Sequence, residues 1–452
     1  MKGFIIAAPQ SGSGKTTVTL ALMAALRRRG LEVAPFKCGP DFIDTGYHRL
    51  VSGVSSINLD SWICPESFIR ETFAFHSKKS DISIIEGVMG LFDGLGASFD
   101  GSTAEIAKIV GAPVVLVINA RGMAASAAAV VKGFSSFDSD IEIAGVIFNN
   151  VGSLNQENIL RDAIRSFMPD VPLLGFFPRA NDLSIPSRHL GLLTAEENPL
   201  SESFIEKLAE MAEKHIDLDF LAEIAVAQIF NHDMEEPETS SAAKFRVAVA
   251  RDAAFCFVYE DNLRIMREAG AEITEFSPLA DDSLPEDIDC IYLPGGYPEI
   301  HAEKLASNAG MIRSLKAAVN SGLAVYAECG GFVYLTRGID PGEGRPFSGL
   351  VDIFPVTARM LARKKALGYR QIGLMPKTFN GTLLRGHEFH YSETEEMPPD
   401  VERLFRLIRN GEELGLEGYR IMNCVGTYQH IHLGSDRKAA SRFLRLLSGG
   451  VS

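Results

Sequence analysis

Two sets of side chains, far apart in the chain, have the types and spacing of chemical machinery. Near the start, Gly12-Ser13-Gly14-Lys15-Thr16-Thr17 follows the apolar run Phe4-Ile5-Ile6-Ala7-Ala8 and leads into the periodically apolar stretch Val18–Leu26. Strand, glycine turn and helix form the context of a phosphate-binding loop. Backbone N–H groups of the turn and of the first helical turn converge on one point, and the helix dipole favours an anion there. Lys15 suits the outer phosphates of a nucleotide, and the Thr16 hydroxyl suits Mg²⁺. Pro9 stands where the usual pattern has its first glycine.

The second set centres on a thiol. Leu323-Ala324-Val325-Tyr326-Ala327 runs into Glu328-Cys329-Gly330-Gly331. A residue wedged between a strand end and a helix start is exposed as a nucleophile at the sheet edge. The helix N-terminus is expected to lower the Cys329 pKa. Pro294-Gly295-Gly296 ends the preceding strand, so the N–H groups of Gly296 and Gly330 are expected to form an oxyanion hole. His430 and His432, two apart on a strand-like segment, share a face; one is read as the base for Cys329 and the other as its orienter. Cys38, Cys64, Cys256, Cys290 and Cys424 lack the elbow context and are read as packing or surface residues. No cysteine pair has zinc-ligand spacing.

These groups need a scaffold. Behind the phosphate loop come the apolar runs Val33–Phe36, Ile82–Ile85, Val114–Ile118, Gly145–Phe148 and Leu173–Phe176, with helix-like text between them. Such runs are strands buried on both faces, so this half reads as a doubly wound, mostly parallel α/β sheet. Ligands of such sheets sit outside the carboxyl ends of the strands. Asp41, Asp44, Glu86 and Asp93 all fall at that edge, with Lys37 and Asn149. Carboxylates beside a triphosphate repel it unless Mg²⁺ lies between them, and Glu86, at a strand tip, is the best candidate to hold the metal with Thr16. Lys37 is expected to neutralise a bound phosphate or carboxylate, with Asp41 as its alternative partner.

Residues 233–243 are acidic and Pro- and Ser-containing, and read as a linker between a domain at 1–232 and a second at 244–452. The second half alternates again, through Phe245–Ala250, Ile273–Phe276, Ile288–Leu293 and Leu323–Ala327, and reads as another α/β domain. Two polar stretches stay open. Arg385–Tyr391 is read first as a satisfied loop network, with lining of the domain interface and contact with glutamine as its alternatives, and the basic residues Arg359, Arg363, Lys364, Lys365 and Arg370 suit either solvent or a carboxylate-rich ligand.

The chain of 452 residues exceeds one ordinary core, and its 46% hydrophobic and 23% charged composition is that of a globular protein. A net charge of −14 argues against nucleic acid as partner. No apolar run has membrane-spanning length, no secretory signal opens the chain, and scattered cysteines fit the cytoplasm.

The motifs also carry a resemblance. Ala327-Glu328-Cys329-Gly330-Gly331, Pro294-Gly295-Gly296-Tyr297-Pro298 and Tyr428-Gln429-His430 resemble class I glutamine amidotransferase domains of the cobalamin pathway. Gly14-Lys15-Thr16, Lys37-Cys38-Gly39-Pro40-Asp41 and Glu86-Gly87-Val88-Met89-Gly90 resemble dethiobiotin-synthetase-like ATPases. Joined in this order, they resemble the cobyrinic acid a,c-diamide synthase family over essentially the whole chain. The resemblance implies a ligase that uses ATP and L-glutamine, with Mg²⁺, to amidate two acetate side chains of a corrin polycarboxylate. Cys329 would then form the glutamyl thioester with His430 as base. His432 stands where class I members carry an acidic orienter. ATP would lie on Gly12, Ser13, Gly14, Lys15, Thr16, Thr17 and Asn149, with Lys37, Asp41, Asp44 and Asp93 toward substrate or phosphate. Hydrogenobyrinic acid, nickel-sirohydrochlorin and the four-fold amidation of cobyric acid synthesis are the neighbouring substrates, and a homodimer is compatible with the reading. A different class, the nucleotide-switched partitioning-type ATPase without glutaminase activity, is opposed by the intact Cys329 and His430.

Overall fold

The structure is a computed structural model that describes residues 2–179, 187–188, 191–225, 245–342, 347–375 and 383–447. The chain divides into two compact units, Met1–Met234 and Glu235–Ser452. The linker expected at 233–243 lies outside the described residues.

In the first unit, β1 (Gly3–Ala7) is buried at every position, and α1 (Lys15–Arg28) follows the glycine turn. The helix is buried from Val18 to Leu26 without a break, which marks a helix covered on all sides. One side faces the sheet, and the other packs against the helix Glu202–His215. Arg27 and Arg28 complement its last turn, and Gly30, at φ 83°, turns the chain away. β2 (Val33–Cys38) leads into α2 (Ile43–Ser52), β3 (Ile57–Leu59) and β4 (Ile82–Glu86). β5 (Val114–Asn119), β6 (Ile143–Val151) and β7 (Leu173–Pro178) complete a seven-stranded sheet of order β3-β2-β4-β1-β5-β6-β7. All its ladders are parallel. The expected strands are present; the three-residue β3 is too short to leave a periodic signature. The chain fills one side of β1 first and crosses to the other with β5, so the edge above β1 is the switch point where ligands bind.

The second unit starts as expected and then departs. β8 (Phe245–Ala250) runs into α3 (Glu260–Glu268), and β9 (Ala271–Phe276), β10 (Cys290–Leu293) and β11 (Ala324–Glu328) join β8 in parallel. An antiparallel half follows, made of β12 (Ala366–Leu374), β13 (Leu383–His390), β14 (Glu402–Arg409) and β15 (Glu412–Ile421). β16 (Cys424–Thr427) returns to the parallel core beside β11, and β17 (His430–His432) pairs with β13. The sheet order is β9-β8-β10-β11-β16-β15-β14-β12-β13-β17. Only Tyr428 and Gln429 separate β16 from β17, yet the two strands lie far apart in that order. The sheet therefore curls until its last strand returns to its own parallel core. Among the described residues, no helix is long and apolar enough to cross a membrane.

Candidate active sites

At the switch point of the first unit, Gly14 takes the cap position of α1 at φ 91°, in the left-handed region that favours glycine. No side chain caps α1, so N–H groups of its first turn stay available to an anion. Asn149 Nδ2 donates to Ser13 O at 2.9 Å, and a Cβ on Gly14 would collide with that same amide. Asn149 thus props the loop from β6. Lys15 Nζ donates to the carbonyl of Met89, a non-glycine residue at φ 49°. Burial, aided by nearby Lys37, lowers the Lys15 pKa.

Below the loop lies a buried ionic cluster. Thr16 Oγ1 donates to Glu86 Oε1 at 2.6 Å and lies 3.5 Å from Asp44 Oδ2. Lys37 Nζ meets Asp44 Oδ2 at 2.7 Å, Glu86 Oε1 at 3.2 Å and Gly87 O at 3.2 Å. Burial acts to lower the Lys37 pKa, but Asp44, Glu86 and Asp41 together hold it well above the ordinary lysine value. Burial likewise acts to raise that of Glu86, and Lys37 and His48 hold it below the usual carboxylate range.

The four expected acids therefore separate. Glu86 and Asp44 converge on Thr16 and Lys37. Asp41 Oδ1 instead accepts from the N–H groups of Ile43 and Asp44, fixing the start of α2, and exposed Asp93 accepts from Gly90 N at 2.8 Å. Lys37 pairs with Asp44, not with the alternative partner Asp41. Of the other loop residues, Gly12 is exposed at φ 76°, and Thr17 lies half-buried in the first turn of α1. Sequence reading missed His48, whose Nε2 meets Glu86 Oε2 at 2.7 Å while Nδ1 meets Ser56 Oγ at 3.0 Å. A single histidine on an amphipathic helix carries no signal; only the fold of α2 over β4 reveals it.

In the second unit, Cys329 sits between β11 and the helix Gly330–Tyr334 with φ 45° and ψ −103°. That conformation costs a non-glycine residue about 1–3 kcal/mol, and a hydrogen bond from Cys329 N to Thr427 O at 2.6 Å helps to hold it. A Cβ on Gly330 would come within 2.9 Å of Gly296 N, so the two backbones meet closely beside the thiol. A Cβ on Gly295 would strike Cε1 of His430, which brings the imidazole to the same edge. The expected low thiol pKa is corrected. Burial pushes the Cys329 pKa up and Glu299 adds to this, while a hydrogen bond from Gly330 N–H only partly opposes them. The helix that follows has five residues, too little dipole to offset desolvation.

His430 is buried and stacks on His387, with centroids 4.7 Å apart and planes at 13°. Burial lowers its pKa to about 3. His432 shares that face but turns elsewhere: its Nδ1 accepts from Gly434 N at 3.0 Å and its ring lies 4.5 Å from that of Tyr259. Two acids lie near His430: Glu328, with Oε2 3.9 Å from Nδ1, and Glu388, whose charge acts to raise the imidazole pKa against burial. Sequence reading passed over Glu328 because it treated the residue as part of the elbow only.

Of the Arg385–Tyr391 stretch, all but Tyr391 is strand rather than loop. His387 stacks on His430, and Glu388 is held by Arg370 Nε and His390 Nε2, each at 2.8 Å. The basic cluster separates as well. Arg359 and Lys365 pair with Glu393 at the surface, Lys364 lies over the Phe389 ring, and Arg370 is buried.

Comparison with known proteins follows the same division. Residues 4–193 match the CobQ/CobB/MinD/ParA nucleotide binding domain, and residues 246–438 match the CobB/CobQ-like glutamine amidotransferase domain. The two together define a glutamine-dependent, ATP-using amidoligase. The chain is 42% identical over 440 residues to a cobyrinate a,c-diamide synthase of Listeria innocua, covering 96% of each chain. It is 41% identical over 454 residues to that of Syntrophotalea carbinolica, covering 98% of each. A hydrogenobyrinate a,c-diamide synthase of Brucella abortus is 42% identical over 435 residues, covering 95% of this chain and 98% of the relative. The chain belongs to the cobyrinate a,c-diamide synthase family.

Two outcomes are expected. Without substrate, alkylation of Cys329 by iodoacetamide should keep accelerating above pH 9, because the raised pKa keeps the thiol protonated below it; a rate that levels off below neutral pH would contradict the buried, neutral thiol. Gly295→Ala should cut glutamine hydrolysis about a hundredfold by displacing the His430 ring, measured as released glutamate.

Proposed function

We propose that the chain amidates the a and c acetate carboxylates of cobyrinic acid in cobalamin biosynthesis, with nitrogen from glutamine and energy from ATP. Support comes chiefly from one observation: a single chain, matching relatives of that name nearly end to end, holds both a phosphate loop over a buried Lys–carboxylate cluster and a strained cysteine beside paired glycine backbones.

A carboxylate resists attack by ammonia. ATP therefore phosphorylates it first, and the acyl phosphate loses phosphate when ammonia adds. Lys15 and the N–H groups of the loop stabilise charge on the transferring phosphoryl group. Thr16, Glu86 and Asp44 offer an all-oxygen donor set that fits Mg²⁺, which takes one or two carboxylates and otherwise phosphate oxygens or water. Bound there, Mg²⁺ would neutralise phosphate charge. Lys37 lies close enough to both carboxylates to shield them from the triphosphate. Asp41 and Asp93 shape the loops around this site and so act on substrate through position.

At the second site Cys329 attacks the amide carbon of glutamine after His430 takes its proton. The N–H groups of Gly296 and Gly330 receive the developing oxyanion. The proton returns to the departing nitrogen, ammonia leaves, and water hydrolyses the thioester to glutamate. The free thiols suit a reducing compartment, and the cytoplasm is the setting we assign. Hydrogenobyrinic acid is the second reading, favoured by the Brucella abortus relative's equal identity.

Cobyrinic and hydrogenobyrinic acid, incubated side by side with ATP and glutamine, should reveal the substrate by the mass gained per added amide. Cys329→Ala should lose glutamine-driven but keep ammonium-driven amidation; loss of both would break the division of labour. Glu86→Gln should abolish ATP-dependent amidation, at least about a hundredfold, while glutamine hydrolysis persists. Unchanged amidation would remove Glu86 from the metal.

A further inference from the structure

Base catalysis by a buried imidazole needs something to fix its tautomer and to meet the charge it acquires. His432 faces Tyr259 and the Gly434 N–H, and His387 lies flat against the His430 ring. Asp261 is committed to Arg264 at 2.8 Å. Glu388 places negative charge near His430, but its Oε2 accepts from Arg370 and its Oε1 meets His390. Glu328 is different. Tyr292 OH donates to its Oε2 at 2.8 Å, and Tyr326 OH and Ile431 N donate to its Oε1 at 2.8 and 3.0 Å. Burial pushes the Glu328 pKa up to about 7 against these three donors, which suit the ionised carboxylate, an acceptor only, so the charged form is the one held above that pH. Its Oε2 faces His430 Nδ1 at 3.9 Å, and both groups are almost wholly buried.

We propose that Glu328, the residue immediately before the nucleophile, is the positioning residue of the His430 imidazole. Its carboxylate directs the ring proton to Nδ1 and leaves Nε2 as the base. At 3.9 Å the pair is an electrostatic contact, and such contacts in substrate-free sites shorten as the reacting complex forms. When the proton passes from Sγ to Nε2, the imidazolium forms beside a fixed negative charge rather than alone in a low-dielectric site. As Sγ bonds to the amide carbon and the C–N bond breaks, that proton goes to the leaving ammonia. Glu328 keeps its own state throughout. The carboxylate comes from the strand that ends in the nucleophile, so one elbow sets both the thiol and the orientation of its base. The Ile431 N–H bond ties this carboxylate to β17, the strand that carries the histidine.

The proposal rests on hydrolysis of glutamine by Cys329 and His430, which the loss of hydrolysis in Cys329→Ala tests separately. Glu328→Gln keeps an oxygen for Ile431 N–H and removes the charge. In the full chain it should lower kcat for glutamine hydrolysis at least about a hundredfold, with KM changed less than about threefold. Glu328→Asp should recover part of that loss, whereas Glu388→Gln should leave the His430 tautomer as it is. A kcat within about threefold of the parent in folded Glu328→Gln overturns the proposal. A second measurement needs no Glu328 variant. In ¹⁵N-histidine-labelled protein, the His430 signal, assigned by its absence in His430→Asn, should report Nδ1–H with unprotonated Nε2. The opposite tautomer overturns the proposal even if Glu328→Gln fails to fold.

Discussion

A charge taken out of water must meet an opposite charge or a set of donors, and this requirement selects the side chains at both sheet edges. In the first unit, Lys37 is buried between Asp44 and Glu86, and Glu86 is shared with Thr16 and His48. Removing any one member leaves an uncompensated group. The cluster is therefore rigid, and it holds a hydroxyl and two carboxylates under a loop that presents N–H groups to an anion. In the second unit the same requirement is met by donors: two tyrosines and a backbone N–H surround Glu328.

The two sites store different resting states. The phosphate site already has Lys37 paired with Asp44 and Glu86 before any nucleotide arrives. The thiol and its base are both neutral at rest, with burial raising the Cys329 pKa and lowering that of His430 to about 3. A proton therefore stays on sulfur at rest. Each unit also holds a non-glycine residue at positive φ beside its chemistry, Met89 under Lys15 and Cys329 itself. Strain of this kind persists only where surrounding hydrogen bonds over-determine the backbone.

Much of this was legible in the order of residues, because local rules govern it. The apolar run before Gly12, the glycines and the periodic Val18–Leu26 specify strand, turn and helix within a few residues of one another. The strand ends place Glu86, Asn149 and Cys329 at carboxyl edges, because parallel strands all point the same way. The curled half of the second sheet was not legible. Its strands alternate polar and apolar residues, and β13 and β17, which pair, are about forty residues apart in the chain, so nothing local says that β13 will lie beside β17.

What the chain's text determined on its own was the kind of chemistry at each edge, since a phosphate loop and a nucleophile elbow are built from neighbours in sequence. Only the tertiary structure decided which partners those groups meet. His48 reaches Glu86 through the packing of α2, Arg385–Tyr391 becomes the wall behind His430, and Glu328 rather than His432 lies beside its Nδ1. The reason is physical: a buried charge is satisfied by whatever the fold brings within a few ångströms, and sequence distance has no bearing on that reach.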